Sequence, residues 1–170
     1  MRIEQATPED CRAIAEVHVL SWQHAYKDIL PAEYLDALSI TSREAMWRES
    51  FFSGQPQLLV AKDNGTVVGF VAFGPSRDEG AQPLCAEVWA IYLTPSIWSQ
   101  GAGRLLWLTA WERLLAQGFK IVSLWVIVGN ERAIRFYSAA GFKPATHSTK
   151  AFTLGGVSLQ EIRYDFNGNG

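Results

Sequence analysis

Cysteine is scarce: Cys11 and Cys85 are the two in 170 residues. They match no metal-ligand spacing and build no disulfide framework, so neither a thiolate metal site nor a stapled secreted fold is expected. Long apolar runs are missing too. No stretch reaches membrane-spanning length, and the opening "MRIEQATPEDCRAIAEV" lacks the plan of a signal peptide, so a cytoplasmic protein without a membrane partner is expected. Charge of neither sign dominates. The 15 Lys and Arg against 17 Asp and Glu leave a formal −2, which gives no electrostatic reason to expect nucleic acid as a partner. Internal repeats and low-complexity segments are absent as well.

What is present is the composition of an ordinary folded protein, 48% hydrophobic and 19% charged, which argues against extended disorder. A chain of 170 residues suffices for one substantial core and is short for two. One domain over residues 1–166 is expected, with 167–170, "NGNG", as a disordered tail. Seven Trp and nine Phe are many for this length, and large rings line sites as well as cores.

"MRIEQA" reads as a short strand, and "TPEDCRAIAEVHVLSW" as a helix capped by Thr7, with Pro8 at its first position and Asp10 placed for a capping box. Helical pieces follow at "PAEYLDAL" and "TSREAMWRESFF", the latter capped by Thr41 or Ser42. "QLLVAKDNGTVVGFVAFG" predicts two strands joined by a tight Asn-Gly hairpin. "CAEVWAIYLTP" is another strand. From 102 to 117 the apolar residues are dense enough to predict a largely buried helix stopped by Gly118. "KIVSLWVIV" is apolar on both faces, as in a central parallel strand, so 84–94, the helix and 120–128 form a right-handed βαβ unit. "GNERAIRFYSAAG" is a short helix, and the tail forms two strands around "GG".

The loop "SQGAGR" sits at the mouth of the 102–117 helix. The first N–H groups of a helix lack intrahelical partners and lie at the positive end of its dipole, and glycines let phosphate oxygens reach them. Ser99, Gln100, Gly101, Ala102, Gly103 and Arg104 therefore suit a diphosphate, mainly through backbone. A helix entrance with glycines placed for a turn or for packing explains the same residues. Two phosphate motifs are excluded: the dinucleotide fingerprint needs glycine where Leu106 stands, and the P-loop's Gly-Lys-Ser/Thr is missing.

One strand and one helix later comes Asn130, followed by Phe136, Tyr137, Gly141 and Phe142 in the pattern Asn-x-x-Ala-x-x-Phe-Tyr-x-x-x-Gly-Phe. With Pro95 and "WSQGAG", this order and spacing resembles the GNAT superfamily of acetyl-coenzyme A dependent N-acetyltransferases over residues 84–144. Trp98 departs from the family's commoner Arg or Gln, and Ser99 from its frequent glycine. The resemblance implies an α/β fold, of the α+β kind, with a mixed, mostly antiparallel sheet of about seven strands flanked by helices. It implies acetyl-coenzyme A as cosubstrate and no metal. The pantetheine arm would lie between the splayed 84–94 and 120–128 strands, pairing with Ile91, Tyr92 and Leu93, and Asn130 would hydrogen-bond it; Asn130 equally suits a helix N-cap.

Acetyl transfer needs a neutral amine, a donor to the oxyanion and a proton for the departing thiolate. By resemblance Tyr137 supplies that proton; a packed tyrosine whose hydroxyl meets solvent is the plainer alternative. A backbone N–H near Tyr92 or Leu93 would meet the oxyanion. Glu87 is the candidate base, since alternation places it on a face with Trp89, Ile91 and Leu93. A Glu at the strand end, wet or paired with Arg, is the alternative. Trp22, Tyr26 and Trp89, with Trp47, are candidates to line an acceptor cleft, or else pack on the sheet. The resemblance implies as acceptor a primary amine of a small molecule or a protein N-terminus, and direct attack is expected because neither cysteine lies in the motifs. The rival function is a non-catalytic acyl-coenzyme A binding or regulatory module. A homodimer through the C-terminal strands is compatible with the sequence.

Overall fold

A computed structural model describes residues 1–168. Seven strands form one sheet in the order β1-β2-β3-β4-β5-β7-β6. They are β1 (Arg2–Gln5), β2 (Gln57–Asp63), β3 (Thr66–Pro75), β4 (Cys85–Leu93), β5 (Ile121–Ile127), β6 (Lys143–Leu154) and β7 (Val157–Asn167). All neighbours are antiparallel except β4 and β5. The Asn-Gly hairpin forms as expected, Asn64 at φ 48° and Gly65 at φ 83° closing β2 onto β3. β7 runs through Asn167. The expected disordered tail therefore begins no earlier than Gly168, and its last two residues lie outside the described ones.

Helices cover both faces. Helix α1 (Cys11–Ala25) and α3 (Ile40–Ser53) pack on one, with Cys11, Ile14, Val17 and Trp47 meeting Val60, Phe70 and Ala72. Helix α4 (Ala102–Ala116) packs on the other through Leu106, Trp107, Ala110 and Leu114, with α5 (Glu131–Ala139) alongside. The short α2 (Ala32–Asp36) helps close the end over Tyr26, Leu30 and Ile127. The capping box at Thr7 forms, its N–H donating to Asp10 Oδ2 at 3.0 Å, but through a single 3-10 turn before α1.

Two expectations are corrected. Helix α3 is capped by Ser39, whose Oγ accepts from the Ser42 N–H at 3.1 Å, two or three residues earlier than Thr41 or Ser42 would give. Helix α4 is not buried all round: Leu105, Leu108 and Leu115 are 48, 40 and 54% exposed. Its sheet face needs only the stripe at 106, 107, 110 and 114, so apolar density overstated its burial.

The irregularity that matters lies in β4. Phe73 pairs with Val88 and Ala72 with Ala90, which leaves Trp89 as an extra residue, a β-bulge. Ala86 and Val88 face α4, and past the bulge so do Ile91 and Leu93, while Ala90 and Tyr92 face α1.

Candidate active site

β4 and β5 pair only at Cys85–Ile121, Ala86–Val122 and Glu87–Ser123. Beyond these the strands part, so the β4 backbone from Val88 to Leu93 has no strand partner on the β5 side. Buried amides do not stay unpaired cheaply, and such an edge accepts an extended amide chain. A cleft of about 460 Å³ opens there, walled by β4, β5, the loop before α4, and α5. Ile91, Tyr92, Leu93, Ser99, Gly101, Gly103, Arg104, Asn130 and Tyr137 all line it.

The loop that enters α4 is anchored. Trp98 donates Nε1–H to the Leu93 carbonyl at 2.9 Å, and Ser21 Oγ donates to the same oxygen at 2.6 Å. The Arg132 guanidinium lies 4.2 Å over the Trp98 ring. Ser99 has φ 63° and Gly101 φ 88°, so two residues of the turn sit in the left-handed region. That conformation explains why glycine suits position 99.

No side chain caps α4, whose N-cap residue is Gly101, and its first-turn N–H groups are left for another acceptor. The two glycines do different work. A Cβ on Gly101 would touch nothing within 4 Å, so that glycine serves the turn; one on Gly103 would meet Phe136 at 3.1 Å and Leu93 at 3.2 Å, so this one lets α5 pack. Gln100 turns its side chain back to the Ser96 carbonyl at 2.9 Å and Ala102 is buried, so these two offer backbone alone. Arg132 and Arg135 join Arg104 on the cleft wall. Sequence reasoning passed over them, although "NERAIR" places two cations one turn apart directly after Asn130. Three guanidiniums with an uncapped helix N-terminus fit a polyphosphate.

Asn130 caps α5, its Oδ1 accepting from the Ala133 N–H at 3.3 Å. Tyr137 is half-buried, its ring 5.3 Å from Phe136 and 5.8 Å from Phe142. Burial pushes its phenol well above the ordinary tyrosine value, so it stays protonated and keeps an O–H to donate at any working pH.

A second cavity, of about 390 Å³, lies between α1, α3 and β4. Trp89, Ala90 and Tyr92 belong to both cavities, so three residues of one strand separate them. Of the acceptor candidates, Trp22 and Trp47 line the second cavity, Tyr26 the first and Trp89 both. His18, also on the second wall, was missed. It is buried, stacks on Tyr92 at 5.2 Å, and accepts the Trp47 Nε1–H on Nδ1 at 3.2 Å. An indole N–H only donates, so the neutral ring carries its proton on Nε2.

Burial, with the nearby Arg43 charge, lowers the His18 pKa from 6.5 to about 3. Because the folded value is the lower one, the unfolded chain takes up the proton first as pH falls. Stability is complete above about pH 6.5 and drains away toward pH 3, by on the order of 4 kcal/mol in all. In His18→Gln, chemical denaturation followed from pH 7 to 4 will show a flatter loss of stability than in the parent protein.

Glu87 does not sit where alternation placed it. The bulge at Trp89 reverses the phase of β4, so Glu87 lies on the face opposite Ile91 and Leu93. It is 2% exposed and lines neither cavity. Arg77 holds it: Oε2 accepts the Arg77 backbone N–H at 2.8 Å and Nε–H at 3.2 Å, and Oε1 accepts from Nη2 at 2.6 Å. The Arg77 guanidinium lies 4.3 Å over the Trp89 ring. The pairing with Arg, weighed as the alternative, is what the chain forms. Among the described residues no cluster of three or more His, Cys, Asp or Glu could hold a metal ion, and no helix is long and apolar enough to cross a membrane.

Parted central strands, an uncapped glycine-led helix and a tyrosine in the cleft are the anatomy of an acyl-coenzyme A dependent transferase, and the chain belongs to the Acetyltransferase (GNAT) family, whose pattern it matches over residues 8–142. Among curated proteins it is 38% identical over 161 residues to the uncharacterized N-acetyltransferase YuaI of Bacillus subtilis, covering 94% of this chain and 89% of that one. The fold is shared with the PaiA N-acetyltransferase of Thermoplasma acidophilum, solved with coenzyme A, at a TM-score of 0.77 and 22% identity over 98% of each chain. It is shared too with YncA of Salmonella typhimurium, solved with acetyl-coenzyme A, at 0.74 and 23% over 98% of this chain and 93% of that one.

Proposed function

We propose that this enzyme transfers the acetyl group of acetyl-coenzyme A to a primary amine by direct attack. The observation that carries the reading is the meeting of two cavities across residues 89–92 of β4, one lined by three arginines, an uncapped helix start and an unpaired strand edge, the other walled by aromatic rings. A thioester brought along the first would be open to an amine arriving from the second.

In this reading the first-turn N–H groups of α4 take the diphosphate, with Arg104, Arg132 and Arg135 balancing its charge. The β4 edge at Ile91 to Leu93 pairs with the pantetheine arm, and Asn130 adds a donor. A free β4 N–H near Tyr92 or Leu93 meets the oxyanion, where a fixed dipole needs no reorganisation. Tyr137 gives its proton to the departing thiolate. The amine must arrive neutral; its proton leaves through water, because Glu87 is spent on Arg77 and His18 has its accepting nitrogen filled by Trp47.

The test is thiol release from acetyl-coenzyme A with a panel of small amines and N-terminal peptides. At least one amine will release free thiol in step with its acetylated product. Tight binding of acetyl-coenzyme A by calorimetry with no release on any amine would instead favour a binding or regulatory module.

A further inference from the structure

We propose that the amine acceptor carries an oxyanionic group, a carboxylate beside its amine, and that Arg43 receives it in the second cavity. The proposal rests on the transferase reading and narrows the acceptor to amino acids and related amino carboxylates.

Arg43 lies on α3, is partly buried and lines the second cavity. Its neighbours in sequence and space are paired: Arg48 with Glu44 at 2.9 Å, and Arg12 with Glu16 and Glu44 at 3.1 and 3.4 Å. Among the described residues Arg43 forms no ion pair. Arg77, the other cation on this wall, is bound to Glu87 at 2.6 Å, which cancels its charge locally. Glu49 is the carboxylate on the lining; it is exposed and does not bridge to Arg43.

Arg43 is aimed inward. Its guanidinium stands 5.6 Å from the centre of the Trp22 ring, and it is the charge whose field acts on both the His18 ring and the Tyr92 phenol. Its positive field thus reaches the wall shared with the cofactor cleft.

The groups around it are donors. His18 holds its proton on Nε2 because Trp47 occupies Nδ1. The Trp22 indole N–H is directed at the Tyr92 hydroxyl without reaching hydrogen-bond geometry, and it is buried with no partner. The Arg43 cation on this wall, uncancelled by a carboxylate, complements an oxyanion. A cationic tail there, such as the second ammonium of a polyamine, would face the Arg43 charge directly. The rings of Trp22, Trp47, Trp89 and Tyr92 favour an apolar body between the two ends of the acceptor.

The experiment compares matched acceptors by thiol release: phenylalanine, its amide and phenethylamine, and tryptophan against tryptamine, with spermidine as the cationic control. The amino acids are expected to exceed their decarboxylated partners in kcat/KM by about tenfold or more, the scale of one charge-assisted hydrogen bond. In Arg43→Gln that ratio falls toward one through a rise in KM for the acids, while the Kd for acetyl-coenzyme A is unchanged. Turnover of the neutral-tailed amines or spermidine at equal or better efficiency in the parent enzyme overturns the proposal and leaves the transferase reading standing. An unchanged acid-to-amine ratio in Arg43→Gln also overturns it. If acetyl-coenzyme A binds but no amine in either group turns over, the transferase reading falls, and this proposal with it.

Discussion

Tyr137→Phe is expected to lower kcat by about 10²-fold, the low end of what a positioned acid contributes, while the Kd for acetyl-coenzyme A stays within about twofold. The reason is local. The ring packs between Phe136 and Phe142, and a phenylalanine keeps those contacts, so what the substitution deletes is the hydroxyl in the cleft. Since burial holds the phenol protonated far into alkali, no limb of the pH–rate profile between pH 6 and 9 belongs to Tyr137, and the variant's profile should be parallel to the parent's and lower. Stopped-flow thiol release across that range, with calorimetry for the cofactor, measures both halves. Equal turnover would remove Tyr137 from the chemistry and leave it a packing residue.

The second large effect falls on stability. Arg77→Met leaves the Glu87 carboxylate, 2% exposed in the parent protein, with one backbone N–H as its remaining partner. Breaking a buried pair from one side costs about 3–5 kcal/mol; because the Arg77 side chain is 52% exposed, water will reach the vacated space, and about 2–3 kcal/mol is expected here. For a chain of this size that lowers Tm by about 5–10 °C. Glu87→Gln, which keeps an acceptor for the same N–H and buries no charge, should cost roughly 1 kcal/mol. Thermal unfolding of the two variants gives the order, and the pH–rate profile of Glu87→Gln decides the chemical question. An acidic limb lost from that profile, with Tm unchanged, would return Glu87 to the role of base and overturn the structural one.

Much of this fold was legible because its signals are local. Asn64-Gly65 between two β-rich runs fixes a hairpin, the apolar β5 requires cover on both faces, and a helix between two strands requires a crossover. The cofactor cleft was legible for the same reason: Gly101, Gly103 and Asn130 sit at helix starts, where the backbone's own unpaired donors set what can bind.

The rest depends on contacts far apart in sequence. Trp47 meets His18 across 29 positions, and Arg77 meets Glu87 across ten by way of a loop. Nothing in "EVHVL" marks His18 as a fixed donor. The Ser39 cap lost out to Thr41 and Ser42 because all three are good caps, and only tertiary packing chose. The bulge was invisible because "AEVWAIYL" keeps an apolar residue wherever the extra one could fall. Glu87 was misplaced as a direct result.

That bulge has a topological consequence. A pleated strand is a two-state clock, and every side chain past Trp89 keeps time one step late. Draw the extra residue into the ladder and Tyr92 would swing to the α4 side, while Ile91 and Leu93 would turn to α1, exchanging the walls of the two cavities in a single move. What fixes the two walls is therefore the bulge itself: an apolar residue can be traded for another at 88 to 90, but one of them must stay outside the ladder.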